Sequence, residues 1–351
     1  STAPRDVVFR AERVGARGEK VEFLHVLSPL HHGALDEILR LARGEDFSGR
    51  YGPVERIVNL GDVMERGHTP GEVVDRPEGW LRDDWRRLSG IADLGEGLPV
   101  MRPGCGSLSV DPDLVDGLRA RFPHYRLRDV VLAQHKLLTE HLGIAHLKLI
   151  MGISLGGMLT WMFGEMFPDF MDALVPIASQ PGPMSGRNWI QRKINLEAIR
   201  NDPEWNNGDY EKQPTWWVRV APLSGLMTQS VVRIQDMAPT REKGDALYQQ
   251  LVERAKKGDA NNRLYQIEST MDYDPSADLE KIQARLFAIN FADDAINPPE
   301  LGVLEAGVAR VPGARCVTIP TGPQTYGHYT TMRAAVWKPY LAEFLAGLST
   351  R

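Results

Sequence analysis

Six residues constrain this chain more than any others: Gly152-Ile153-Ser154-Leu155-Gly156-Gly157. The run HLKLIMG (146–152) before them is short, apolar and closed by glycine, which predicts a buried strand. LGGMLTWMFGEMFPD (155–169) after them has helical spacing and is stopped by Pro168. A strand that becomes a helix across a single residue must turn sharply there. Ser154 is then held in a strained backbone conformation, and side chains at 152 and 156 would collide with neighbouring backbone, so both are glycine. Such a turn belongs to a sheet with helices layered on it.

The rest of the C-terminal two-thirds keeps this rhythm. RLRDVVLAQHKLLTEHLG (126–143) carries apolar residues at helical spacing and ends on Gly143. DALVPIA (172–178), ARLFAIN (284–290) and ARCVTIP (314–320) read as buried strands, and RAAVWKPYLAEFLAGL (333–348) as a closing amphipathic helix. Strands alternating with helices predict an α/β fold with a mostly parallel sheet covered on both faces. Residues 181–275 break the alternation. They are rich in Trp, Met, Pro and Asn, and contain helical stretches at 187–201 and 240–258. The predicted organisation is a core of residues 1–180 and 276–351 with a helical cap, 181–275, inserted over the C-terminal edge of the sheet. Trp189, Trp205, Trp216, Trp217, Met184, Met227 and Met237 either form the cap's own core or line a substrate tunnel. Before residue 110 the pattern is weaker: 21–27 and 55–61 read as strands, and 71–90 shows no period.

The 351 residues suit one α/β domain plus an insertion, and 42% apolar with 25% charged residues is ordinary globular usage. A net charge of −5 without a basic run argues against a nucleic-acid partner. No apolar stretch reaches the roughly 18–20 residues of a membrane span, so the chain reads as soluble. The cytoplasm is favoured, and an exported mature form stays open because Ser1 is not a Met. Cys105 and Cys316 define neither a disulfide framework nor a zinc site and read as structural thiols.

The turn also carries chemistry. It matches G-x-S-x-G, which exposes a serine hydroxyl at a helix N-terminus, where the Leu155 N–H and the helix dipole can hold an oxyanion. Serine needs a base, and the base an orienting acid, in the chain order Ser, Asp or Glu, His. Asp294, in FADDAINPPE after strand 284–290, and His328, in GPQTYGHYT after strand 314–320, stand at strand C-terminal ends, where open α/β sheets keep their sites. Asp293 competes with Asp294, and local chemistry does not separate them. His31-His32-Gly33 reads either as an oxyanion loop or as a solvated turn, and the second oxyanion donor is unassigned. His135 and His141 read as surface residues on the 126–143 helix. Gly104-Cys105-Gly106 lacks a dinucleotide context, and no metal site is predicted.

RDVVLAQHKLL (128–138), MGISLGGM (151–158), EMFPDFMDALVPIAS (165–179), AIRNDPEWNNGDY (198–210), FADDAINPPE (291–300) and GHYT (327–330) together resemble the homoserine O-acetyltransferase-like branch of the α/β-hydrolases, over roughly two-thirds of the chain. The resemblance implies the α/β-hydrolase fold, a Ser154–Asp294–His328 triad with the acid four residues before Pro298, and a helical cap through which two copies pair. It also implies a small-molecule acyl substrate. Homoserine acetyltransferases carry Asp directly after the base, to hold the substrate ammonium; here that position is Tyr329. Their cap arginine for the substrate carboxylate corresponds to Arg219 in WWVRVAP, and Trp189 joins these as a candidate substrate contact. The expected activity is ester or thioester hydrolysis without a cofactor. The alternatives are acyl transfer, with acetyl-CoA or another acyl-CoA as co-substrate, and a catalytically inactive binding relative.

Overall fold

The computed structural model describes residues 124–136, 138–139, 145–147 and 149–348, together with the backbone of three strands: β1 (Val8–Val14), β2 (Lys20–Val26) and β3 (Ile57–Asn59). His31, His32, Gly33, residues 71–90, Cys105 and His141 lie outside the described residues.

Five strands form one parallel sheet in the order β3–β4–β5–β6–β7, with β4 at Leu149–Ile153, β5 at Ala173–Ile177, β6 at Arg285–Phe291 and β7 at Arg315–Ile319. β1 and β2 pair with each other as an antiparallel two-stranded sheet. The sequence reading of 21–27 as a strand thus meets β2, which is hydrogen-bonded to β1 and not to the five-stranded sheet.

β4, β5 and β6 read as near-continuous apolar runs because both of their faces are covered, and their alternate residues sort cleanly between two cores. Ile150, Leu174, Leu286 and Ala288 face the core built by α1 (Leu127–Lys136), α2 (Leu155–Met166) and α9 (Val303–Val308), which supply Val131, Trp161, Phe163 and Leu304. Met151, Ile153, Val175, Ile177, Ile289 and Phe291 face the opposite core, where α10 (Ala334–Leu348) supplies Trp337, Leu341 and Phe344. Full burial of each such side chain contributes about 1.5–3 kcal/mol, so the two cores fix the positions of the strand ends.

Between β5 and β6 the chain is helical: α3 (Gly186–Arg200), α4 (Thr215–Val220), α5 (Pro222–Thr228), α6 (Val231–Met237), α7 (Arg241–Lys256) and α8 (Ala260–Ser269). Side-chain caps start three of them. Ser230, Thr240 and Asp259 accept from the N–H groups of Arg233, Lys243 and Asn262 at 3.3, 3.3 and 2.6 Å. These helices share a core of their own, in which Leu196, Ile199, Trp217, Val252 and Leu264 are buried, with Trp189 and Trp205 packed against it. They touch loops at the C-terminal ends of the sheet strands. Asn188 Nδ2 donates to the Ile296 carbonyl at 3.2 Å, and Gly327 abuts the backbone of Gln229 and Ser230. No described helix is long and apolar enough to cross a membrane.

Two local readings are corrected. His135 is not a surface residue: it is half-buried, its ring stacked on Phe167 at 3.7 Å between centroids and meeting Phe170 edge-on. The strand predicted from 146 begins at Leu149, with Leu147 reduced to an isolated bridge to Met171.

Candidate active site

β4 ends at Ile153 and α2 begins at Leu155, leaving Ser154 alone in the turn. Its backbone sits at φ 54, ψ −114, in a region that costs a non-glycine residue about 1–3 kcal/mol. Three features hold it there. The Ser154 N–H donates to the Ile177 carbonyl of β5 at 2.8 Å, tying the turn to the next strand. A Cβ on Gly152 would lie 2.0 Å from the Gly156 carbonyl oxygen, so only glycine permits the reversal. A Cβ on Gly157 would lie 2.3 Å from Ser179 Oγ, so this glycine is required by a residue beyond β5. Leu155 opens α2, and as a first-turn residue its N–H has no intrahelical acceptor.

Asp294 follows β6. Its Oδ1 accepts the N–H groups of Ile296 and Asn297 at 2.8 and 3.1 Å, and its Oδ2 accepts from Asn297 Nδ2 at 3.3 Å. His328 lies in the loop after β7. Its Nδ1 is 2.7 Å from Asp294 Oδ2, and its Nε2 is 2.7 Å from Ser154 Oγ. All three side chains are buried, at 8% exposure for Ser154 and 2% for both Asp294 and His328.

Burial pushes the Asp294 carboxyl up, but the His328 charge, the bond to its ring and the two backbone N–H groups outweigh this and hold it below the ordinary Asp range. An ionised carboxylate only accepts, so Nδ1 carries a proton whether His328 is charged or neutral, and in the neutral imidazole Nε2 presents its lone pair to the Ser154 hydroxyl. The arrangement is chemically able to draw the proton from Oγ as the oxygen attacks an electrophile, with the imidazolium that forms stabilised by Asp294.

The structure separates the two competing carboxylates: Asp294 bonds the imidazole, whereas Asp293 Oδ2 accepts the Gly327 N–H at 3.0 Å. Asn297 was not singled out from sequence. It ties the acid loop to the end of β5 by donating from Nδ2 to the Ala178 carbonyl at 2.7 Å, while Asn290 of β6 donates to its own carbonyl at 2.9 Å. Its only sequence signal is an amide three residues after the acid. Tyr329 is half-buried and opens a 3-10 turn, Tyr329–Met332. Arg219 is exposed on α4, and Trp189 packs on the helical segment's core. Cys316 is a free, half-buried thiol in β7. Among the described residues no group of three or more His, Cys, Asp or Glu is placed to hold a metal ion.

No family model matches the chain. A homoserine O-acetyltransferase of Haemophilus influenzae is 31% identical over 189 residues, 52% of this chain and 48% of that protein. The chain thus spans about half the length of the curated relatives it matches. The structure of homoserine O-acetyltransferase from Bacillus anthracis superposes with a TM-score of 0.64 at 15% identity, covering 97% of each chain. An acetylester hydrolase from Corynebacterium glutamicum gives 0.54 at 23% identity, over 66% of this chain and 70% of that one. Taken with the parallel sheet, the likeness to the solved structures gives this chain the α/β-hydrolase fold, and over about half its length its sequence is similar to homoserine O-acetyltransferases.

Proposed function

We propose that the chain is a serine hydrolase of small ester or thioester substrates, working through an acyl-enzyme on Ser154. The observation that carries this reading is the continuous hydrogen-bond relay, 2.7 Å from Asp294 to His328 and 2.7 Å from His328 to Ser154. His328 Nε2 takes the Oγ proton as Ser154 attacks the acyl carbonyl. Asp294 keeps the ring in the reactive tautomer, and the Leu155 N–H holds the oxyanion. His328 then returns its proton to the leaving alcohol or thiol. In the second half it activates water, which releases the acid and regenerates Ser154. No cofactor enters this chemistry.

In this reading the helices from α3 to α8 act as a cap over the site, supported by their contacts with the Ile296 and Gly327 loops. Leu226, Val231 and Val232 are exposed on α5 and α6 and support pairing of two copies through this cap. Light scattering tests it: a dimer that a charged substitution at Val231 dissociates supports the pairing, and a monomer refutes it.

The likeness to homoserine O-acetyltransferases favours a second reading, acyl transfer from acetyl-CoA to an alcohol. Tyr329, in place of an Asp, argues against homoserine as that alcohol. An ammonium left unpaired in a low-dielectric pocket costs several kcal/mol, and a tyrosine offers a hydrogen bond in place of the carboxylate that would pair with it. The discriminating experiment measures hydrolysis of short-chain p-nitrophenyl esters beside thiol release from acetyl-CoA, with and without homoserine. The proposal expects ester hydrolysis and no homoserine-dependent release. Strong homoserine-dependent release makes the chain a transferase.

A further inference from the structure

Asp293 and Asp294 are consecutive residues after β6, and both bond the loop that carries His328, in different ways. Asp294 takes the imidazole. Asp293 takes the backbone: its Oδ2 accepts the N–H of Gly327, the residue immediately before His328. Its Oδ1 is buried without a hydrogen-bond partner among the described residues, so the bond to Gly327 is the side chain's described anchorage. Gly327 is confined from another direction as well. It has φ +65, and a Cβ there would lie 2.6 Å from Ser230 N and 2.9 Å from the Gln229 carbonyl carbon, at the start of α6. The turn is closed further by Tyr326 N–H donating to Thr330 Oγ1 at 2.7 Å and by Thr331 Oγ1 donating to the His328 carbonyl at 2.8 Å.

The bond at Nδ1 holds one edge of the imidazole, and Nε2 at the other edge must reach Ser154 Oγ. Where Nε2 points then depends on where the His328 Cα stands, and that atom moves with the Gly327–His328 peptide. The bond from that peptide to Asp293 Oδ2 limits how far it can move, and an error near 1 Å in a reacting group costs on the order of 10²-fold in rate.

We propose that Asp293 is a positioning residue for His328: its carboxylate fixes the Gly327 peptide against the Gln229–Ser230 backbone so that Nε2 is aimed at Ser154 Oγ. The effect on turnover rests on the acyl-enzyme reading; the effect on His328 does not. Adjacent acids thus divide the work, Asp294 setting the tautomer of the ring and Asp293 the place from which the ring extends.

The test compares Asp293→Ala, which removes the acceptor, with Asp293→Asn, which keeps a carbonyl oxygen at the same reach. Two quantities are read on protein shown to be folded by circular dichroism: kcat and KM on p-nitrophenyl acetate, and the downfield Nδ1 proton signal of His328 in histidine-labelled protein. In Asp293→Ala, kcat falls about 10- to 100-fold while KM changes by less than about threefold, and the Nδ1 signal broadens or disappears. In Asp293→Asn most of the rate and the signal return. Wild-type kcat and an unchanged signal in Asp293→Ala overturn the proposal. An Asn variant as impaired as the Ala variant also overturns it, because the charge and not the Gly327 bond would then be what matters. If Asp293→Ala does not fold, Asp293→Ser, too short to reach Gly327, takes its place. A wild type that hydrolyses no ester removes the acyl-enzyme reading, and the Nδ1 signal still decides the role of Asp293.

Discussion

Asp294→Asn changes one heavy atom and tests the logic of the relay. Asp294 Oδ1 receives two rigid backbone N–H groups, at 2.8 and 3.1 Å, and Oδ2 receives His328 Nδ1 at 2.7 Å and Asn297 Nδ2 at 3.3 Å. An amide has one acceptor, and the two immobile backbone donors claim it, since the opposite flip would set its NH₂ against both of them. The NH₂ then faces Nδ1, which becomes the acceptor, and the ring proton moves to Nε2. There it donates to Ser154 Oγ and can no longer take the serine's proton. Loss of the base by tautomer inversion lowers kcat by about 10⁴ in a relay of this kind, equivalent to roughly 5.5 kcal/mol of barrier. The backbone bonds survive, so the cost in folding stability is far smaller, about 1–2 kcal/mol. The assay is kcat on p-nitrophenyl acetate beside a urea denaturation curve. A loss of less than about tenfold, or a larger loss in Asp293→Asn, refutes the assignment of Asp294 as the acid.

Two further substitutions probe the frame around the site. Gly152→Ala forces a Cβ to within 2.0 Å of the Gly156 carbonyl oxygen, which is backbone and cannot rotate away. It should cost about 3 kcal/mol and abolish labelling of Ser154 by a fluorophosphonate, and wild-type stability by denaturant titration would contradict the tight turn. Glu165, on α2, is pushed up to about 7, first by burial and then by Asp278, against Lys281 and Arg128. A carboxyl raised on folding contributes its stability while protonated, below the ordinary Glu range near 4.3, and loses it as pH rises through about 7. Glu165→Gln should therefore match the wild type near pH 4 and exceed it above pH 7 by about 1 kcal/mol, discounted for the side chain's partial exposure; a gain that is the same at both pH values refutes this.

The parts of the fold that local sequence dictates were legible. The strands now seen as β4 to β6 are apolar runs between glycine, proline or polar residues, because a sheet covered on both faces needs no alternation. Ser154 stood out because the strand, the turn glycines and the helix are contiguous, and His328 because a lone histidine follows the last strand. What stayed hidden depends on contacts distant in sequence. Gly157 is demanded by Ser179, beyond the next strand. His135 is polar by type but finds Phe167 across the end of α2. Asp293 and Asp294 are identical to any local rule, and only the return of the His328 loop distinguishes them. β1, VFRAERV, mixes charged and apolar residues and gains its meaning only from pairing with β2, Glu12 opposite Glu22.

The central claim is that Ser154 is an activated nucleophile, and mass spectrometry of fluorophosphonate-treated protein tests it most directly. The account predicts one phosphonyl adduct on wild-type protein, mapped to the peptide that contains Ser154 and absent from a folded Ser154→Ala variant. A folded wild type that takes up no adduct, or a Ser154→Ala variant labelled to the same extent, contradicts it.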